Sequence, residues 1–141
     1  MISPAHDIAL YLAGQDVGTF AGTVGWTINV SREPMMPDDA ITIYDTGGGE
    51  PDTDELDLMH PTFQVRVRAR KRLLNGIDTG YEEAYSKHEQ IRDLLMLGSP
   101  LVTVNSIFIL INLATEISAI GRDDNDRHLL VANYNAIRVR Q

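Results

Sequence analysis

The chain has 141 residues, a hydrophobic fraction of 43% and a formal net charge of -8 at pH 7. These values predict one globular domain with its own core, and the acidic balance argues against a protein whose whole surface binds nucleic acid. The absence of cysteine excludes disulfides, thiolate zinc sites and cysteine nucleophiles.

The first third of the chain predicts one helix and two strands. Ser3 and Pro4 have the form of a helix start, so we expect a helix over residues 4–13. We expect no signal peptide there, because the segment lacks a basic region and a sufficiently long apolar run. Alternation of polar and apolar residues then predicts strands over residues 26–30 and 40–44.

A flexible acidic loop is expected over residues 46–59. Three consecutive glycines and Pro51 disfavour regular structure in its first half. The glycine run lacks the Lys-Ser/Thr pair of a P-loop, so it does not indicate a phosphate site. The acidic residues of this loop are Glu50, Asp52, Asp54, Glu55 and Asp57.

The segment after the loop, residues 60–72, reads HPTFQVRVRARKR. Apolar residues alternate there with Arg66, Arg68 and Arg70, which is the period of two that a strand requires. We therefore predict one strand that is apolar on one face and basic on the other.

The second half of the chain predicts a turn at residues 75–76, a helix and three further strands. The helix begins at Thr79, which has the form of a capping box with Glu82, and it ends before Gly98. The three strands are expected over residues 101–104, 107–113 and 129–139, with a polar turn over residues 121–126.

The apolar run over residues 107–111 interrupts the alternation of a one-sided strand. Either the strand is central and covered on both faces, or one face is a contact between subunits, and we favour the central strand. The predicted elements together indicate an α+β domain, with a mostly antiparallel sheet of five to six strands and two helices packed on it.

No catalytic or metal-binding motif is recognisable. The four histidines are isolated, and neither a nucleophile elbow nor a zinc-binding helix motif occurs. Residues 123–126 resemble a calcium loop but lack the glycine and the closing glutamate in register. We therefore expect no catalytic residue, cofactor or metal, and no enzyme. No segment reaches the roughly 20 apolar residues of a membrane helix, so no membrane contact is expected.

Five segments of the chain, taken in order, form a recognisable pattern. They span residues 7–19, 37–48, 60–68, 84–95 and 120–127, and the most specific are IYDTGG and HPTFQVRVR. The ordered set resembles the minor capsid or tail-terminator-like proteins of long-tailed, siphovirus-type phages. Residues 70–79 depart from the pattern, because they are longer and more basic than expected, as a local loop extension would be.

The resemblance implies a tail-terminator-like α+β fold and a place in the virion, in the tail or neck, after assembly in the host cytoplasm. Such proteins form a ring, usually a homohexamer, that caps the head-proximal end of the tail tube, stops its growth and gives the head connector a docking surface. The implied partners are other copies of the chain, the tail tube protein and the head–tail connector, with a passing contact to DNA in the channel. Two alternatives stay open: a neck or head-completion protein that bridges portal and tail, and a small ligand-binding or enzymatic domain.

A ring built from head-to-tail contacts needs two different, complementary patches on each subunit. The basic strand and the acidic loop are a candidate pair, whose opposite charges would fix the register between neighbours. We hypothesise that the subunit interface contains Arg66, Arg68, Arg70, Glu50, Asp52, Asp54, Glu55 and Asp57. The alternatives are that the arginines form a solvated sheet face or that they face DNA in the channel of the ring.

Overall fold

Two helices pack on one face of a large mixed β-sheet. The computed structural model describes residues 2–49 and 58–140. The helices are α1 (Pro4–Gly14) and α2 (Gly80–Leu95). The strands are β1 (Thr19–Phe20), β2 (Thr27–Val30), β3 (Ala40–Gly48), β4 (Leu58–Met59), β5 (Pro61–Ala69), β6 (Leu73–Leu74), β7 (Ile77–Asp78), β8 (Leu101–Val102), β9 (Ser106–Arg122) and β10 (His128–Arg140).

The main sheet has eight strands in the order β1-β2-β3-β5-β10-β9-β8, and β4 pairs with the far end of β10. The β1–β2 and β2–β3 pairs are parallel, and the other pairs of this sheet are antiparallel. The predicted α+β class and the two helices are confirmed, but the sheet is larger than predicted and mixed. The additional strands escaped prediction because β1 and β4 have two residues each, too few to show a period.

One hydrophobic core lies between the helices and the sheet. Alternate residues of β5 point into it, as the sequence predicts, and Phe63 stacks on Tyr134 of β10 with ring centroids 5.2 Å apart. Helix α1 supplies Ile8 and Leu12, and α2 supplies Ile91, all fully buried. The opposite face of the sheet carries polar side chains such as Gln64 and Asn133, and the connection between β2 and β3 covers part of it at Arg68.

Helix α1 begins as predicted. The Ser3 hydroxyl accepts a hydrogen bond from the backbone N–H of His6 at 3.2 Å, and Pro4 occupies the first helical position.

The capping box predicted at Thr79 for the start of α2 is wrong. The Thr79 side chain makes no cap to the helix, and its hydroxyl lies 3.4 Å from the carbonyl oxygen of Arg72. Asp78 supplies the cap instead, because its Oδ1 accepts from the backbone N–H groups of Gly80 (2.9 Å) and Arg72 (3.1 Å). Asp is among the preferred capping residues.

The predicted loop over residues 46–59 is partly strand. Gly47 pairs with Thr62 and Gly48 with Pro61, so β3 continues past a register shift at Asp45. Gly48 has φ +131°, and a Cβ there would lie 2.1 Å from the carbonyl oxygen of His60. Only glycine fits this approach, so the glycines here allow pairing and do not end the strand. The acidic residues Glu50, Asp52, Asp54, Glu55 and Asp57 lie outside the described residues.

Candidate functional site

The basic face of β5 is mostly engaged within the subunit. Arg66 forms an ion pair with Glu33 at 3.3 Å. Arg68 is 3% exposed and donates from Nε and Nη2 to the carbonyl oxygens of Asp38 (3.0 Å) and Pro37 (2.7 Å). The side chain of Arg70 is exposed. Of the three predicted contact arginines, a neighbouring molecule can therefore reach Arg70 freely and Arg66 in competition with Glu33.

A polar ladder runs across the same open face of the sheet. Gln64 of β5 donates to Asn133 of β10 at 3.1 Å, and Asn133 donates to Thr115 of β9 at 2.8 Å. These bonds link three neighbouring strands, which makes this part of the face a connected polar surface beside Arg66.

A second charged cluster joins β7 to the start of β10. Asp78 lies 2.7 Å from Nε2 of His128 and 3.8 Å from Arg122. The backbone N–H of Gly80, helped by His128 and Arg72, lowers the pKa of Asp78 to about 2. Arg72 itself forms ion pairs with Asp39 and Glu83. This cluster clamps the base of the β6–β7 hairpin to the sheet and to α2.

The β6–β7 hairpin exposes apolar residues at its tip. Its two strands form a separate small sheet, and the Asn75–Gly76 turn has positive φ at both positions (52° and 80°), which is type I′ geometry. The turn prediction is confirmed, and this hairpin occupies most of residues 70–79, the segment that departs from the pattern noted in the sequence. Leu73, Leu74 and Ile77 are 65%, 64% and 68% exposed.

The prediction that residues 107–113 form a central strand covered on both faces is wrong. Among the described residues β8 pairs only with Ile107 and Phe108, so from Ile109 onward the edge of β9 opposite β10 carries no strand. Strand β9 also runs on to Arg122, where the sequence predicted an end at Leu113. Its outer residues Ile109, Leu110 and Ile120 are 43%, 44% and 50% exposed. The alternative interpretation, a strand with an exposed contact face, agrees with this arrangement.

An apolar groove lies between α1 and the segment that contains β8. The groove has a volume of about 340 Å³, and Leu10, Tyr11, Val102 and Val104 supply its apolar lining. Val102 is 63% and Val104 is 90% exposed.

A buried polar cluster holds the wall of this groove. Asp7 accepts hydrogen bonds from Thr103 at 2.7 Å and from Ser106, and Arg138 donates to Asp7 at 3.3 Å. Arg138 also donates to the Ser106 hydroxyl at 2.8 Å, and all four side chains are at most 9% exposed. Thr103 lies between the two exposed valines, so the cluster fixes their position relative to α1.

At the opposite lateral edge of the sheet, a wider groove lies beside β2. It has a volume of about 570 Å³, and its lining includes Phe20, Val30, Met35 and Met36. The two methionines are 77% and 67% exposed. Methionine-lined surfaces adapt readily to partners of different shape.

The residues that resembled a calcium loop form an ordinary turn. Asp123 accepts from the backbone N–H groups of Asn125 (3.0 Å) and Arg127 (2.9 Å) and from the Arg127 guanidinium (2.7 Å). Within residues 2–49 and 58–140, no three His, Asp or Glu side chains are grouped closely enough to hold a metal. No described helix is long and apolar enough to cross a membrane.

The exposed hairpin tip and the groove beside α1 were missed by sequence reasoning. The signal for the hairpin was present, because Leu73, Leu74 and Ile77 flank an Asn-Gly pair, the strongest short hairpin signal. The groove had no local signal, because Leu10 and Val104 are distant in sequence and meet only through the fold.

The comparison with protein families gives a match over most of the chain. The family model described as "Bacteriophage tail terminator protein" matches residues 11–140, which runs from the second half of α1 to the end of β10. No curated protein matches the chain.

Proposed function

This chain belongs to the bacteriophage tail terminator family, and on that premise we propose that it forms a ring, a homohexamer, on the head-proximal end of the tail tube. The ring ends tube growth and gives the head connector its docking surface. Its action is binding between structural proteins, without a catalysed reaction. The observation that carries this proposal is the family match over residues 11–140.

The exposed edge of β9 supports the ring. Among the described residues no strand pairs with this edge of β9 beyond Phe108, and Ile109, Leu110 and Ile120 are exposed there. Monomeric proteins normally cover or charge such a surface. In a ring assembled from identical copies, a neighbouring subunit covers such an edge. The polar open face around Gln64 and Arg66 is then available for a second contact, in which bridging water molecules take part.

The acidic segment of one copy and the exposed Arg70 of the next remain our proposed charged contact. The partner residues are Glu50, Asp52, Asp54, Glu55 and Asp57. Arg66 adds to this contact when it leaves its ion pair with Glu33 and binds an acidic residue of the neighbouring copy. Arg68 is buried and makes its contacts within its own subunit. Charge complementarity of this kind mainly sets register and encounter rate.

Reversal of Arg70 tests the charged contact without disturbing the fold. Arg70→Glu is expected to slow ring formation, and the additional substitution Asp54→Arg is expected to restore it. The control is Arg32→Glu, which reverses the charge of another exposed arginine. If Arg70→Glu rings form at the wild-type rate, the contact is disproved. If rings form normally but DNA passage through the tail becomes abnormal, Arg70 faces DNA in the channel instead.

A stop codon in the gene of the parent phage tests the function itself. Electron microscopy of the lysate is expected to show overlong tails without heads. Tails of normal length beside filled, unattached heads would assign the chain to the neck, as a head-completion protein between portal and tail. Normal infectious particles would contradict both assignments.

A further inference from the structure

We propose that the tip of the β6–β7 hairpin of each copy inserts into the groove between α1 and β8 of the next copy. The tip consists of Leu73, Leu74 and Ile77, and the groove is lined by Leu10, Tyr11, Val102 and Val104. The inference rests on the proposed ring and identifies the apolar contact that holds neighbouring subunits together.

The tip has the form of a docking element. Three aliphatic side chains, each about two-thirds exposed, sit within five residues on a two-stranded hairpin that pairs with no other described strand. An isolated two-stranded hairpin is marginally stable in water. This hairpin is held from its base, where Asp78 bonds the backbone of Arg72 and Gly80 and contacts His128. Its rigid base and unpacked apolar tip are suited to insertion, because little entropy is lost on docking.

The groove has the form of a preformed socket. Val104 is 90% exposed and yet not loosely held, because the neighbouring Thr103 donates to the buried Asp7 carboxylate at 2.7 Å. The cluster of Asp7, Ser106 and Arg138 beneath it is buried. A buried hydrogen-bonded support under exposed apolar residues is the arrangement that binding sites require for a fixed shape.

The position of the two surfaces favours a second copy as the occupant. The hairpin base contacts His128 at the start of β10. The groove lies near the other end of β10, because Val102 pairs with Ile107 and Ile107 pairs with Val139. Eleven residues of strand separate these points, a distance of roughly 36 Å. A convex apolar surface at one end of a subunit and a concave one at the other cannot meet within one chain. They can meet between successive copies, and such a heterologous contact generates a closed ring when the rotation between copies permits.

Two single substitutions and their mixture test this contact in solution. Leu74→Asp places a charge on the tip, Val104→Asp places one in the groove, and Val24→Asp is the control because Val24 is 83% exposed elsewhere. Native mass spectrometry is expected to show rings for the wild-type and control chains and folded monomers for each of the other two variants. An equimolar mixture of the two variants is expected to form a dimer with one copy of each, since one intact tip and one intact groove remain. Rings of unchanged stoichiometry from Leu74→Asp would overturn the proposal.

A pair of introduced cysteines tests the same contact if the wild-type chain is monomeric in solution and assembles only on tails. The chain has no cysteine of its own, so the double variant Leu74→Cys/Val104→Cys carries the only two thiols. Tails made with this variant, after mild oxidation, are expected to give a ladder of crosslinked subunits on a non-reducing gel, whereas Leu74→Cys/Val24→Cys gives none. Tails that carry the protein without a ladder would overturn the tip-to-groove contact. The tail lengths in the stop-codon lysate report separately on the proposed function.

Discussion

At the scale of single residues, the fold depends on a few buried polar groups whose partners come from distant parts of the chain. Arg138 is 1% exposed and joins Asp7 to Ser106, which connects the first helix to the last two strands. A buried charge that loses its partner is costly, because neither water nor another side chain replaces the lost interaction.

Arg138→Met is therefore expected to destabilise the protein by about 3–5 kcal/mol, since it leaves Asp7 buried without its cation. The measurement is urea unfolding followed by the fluorescence of Trp26, the single tryptophan. Arg70→Met is the matched control and should change stability by less than about 0.5 kcal/mol, because its side chain is exposed. Equal effects of the two substitutions would show that the cluster does not stabilise the fold.

His88 is expected to make stability depend on pH. Its side chain is fully buried and donates from Nε2 to the carbonyl oxygen of Leu130 at 2.8 Å, and burial lowers its pKa from 6.5 to about 4. Because the folded pKa lies below the unfolded one, the stabilisation is complete above pH 6.5 and is lost as the pH falls towards 4. The loss amounts to about 3 kcal/mol.

Urea midpoints at pH 7, 6, 5 and 4 measure this dependence. His88→Gln is expected to have a flatter stability profile between pH 6.5 and 4 than the wild-type chain, whatever its stability at pH 7. Ser86→Ala, at an exposed position on α2 without an ionisable group, serves as the control and should keep the wild-type slope. A His88→Gln profile as steep as that of the wild-type chain would contradict the assignment.

At the scale of the elements, close backbone approach fixes where α2 begins. A Cβ on Gly80 would lie 2.3 Å from the carbonyl oxygen of Arg70. For a Cβ on Gly14 at the end of α1, no described atom lies within 4 Å apart from its chain neighbours and its own helix backbone. Gly80→Ala is expected to destabilise by about 1–3 kcal/mol through overpacking. Gly14→Ala is expected to be neutral or to stabilise by up to about 1 kcal/mol. Thermal unfolding of the two variants measures both effects. A Gly80→Ala variant as stable as the wild-type chain would show that the backbone at Arg70 moves to accommodate the added methyl group.

The elements with strong periodicity were predictable from the sequence, and the others were not. Strand β5 and helix α2 have their predicted places because each buries one face at a regular spacing. Strand β9 was cut short in the prediction, because beyond Leu113 its apolar residues no longer alternate regularly with polar ones. Its extension depends on pairing with β10, which sequence periodicity does not reveal.

The candidate contact surfaces were predictable only in part. The alternation in β5 gave the basic face, but it could not show that Arg68 turns to the carbonyl groups of Pro37 and Asp38. That contact depends on the path of the connection between β2 and β3. Local sequence signals therefore indicate charge and turns, whereas burial and grooves follow from tertiary packing.

At the scale of the whole molecule, the contact surfaces are distributed around one sheet. The edge of β9 and the methionine-lined groove beside β2 lie at its two lateral edges, and the hairpin tip and the groove beside α1 lie near opposite ends of its strands. Different surfaces on opposite sides of one subunit suit head-to-tail assembly, in which each copy contacts two neighbours through two unlike patches.

The proposed role in ending tube growth is tested most directly by supplying the chain at graded levels and measuring tail length. In cells infected with the stop-codon phage, the wild-type chain is supplied from an inducible plasmid at increasing levels, and tail lengths are measured by electron microscopy. If the chain ends tube growth, we expect overlong tails without it, a mixture of overlong and normal tails at limiting levels, and a single normal length at saturation. A tail length that does not change with the supply of the chain would contradict the conclusion that this protein ends tube growth.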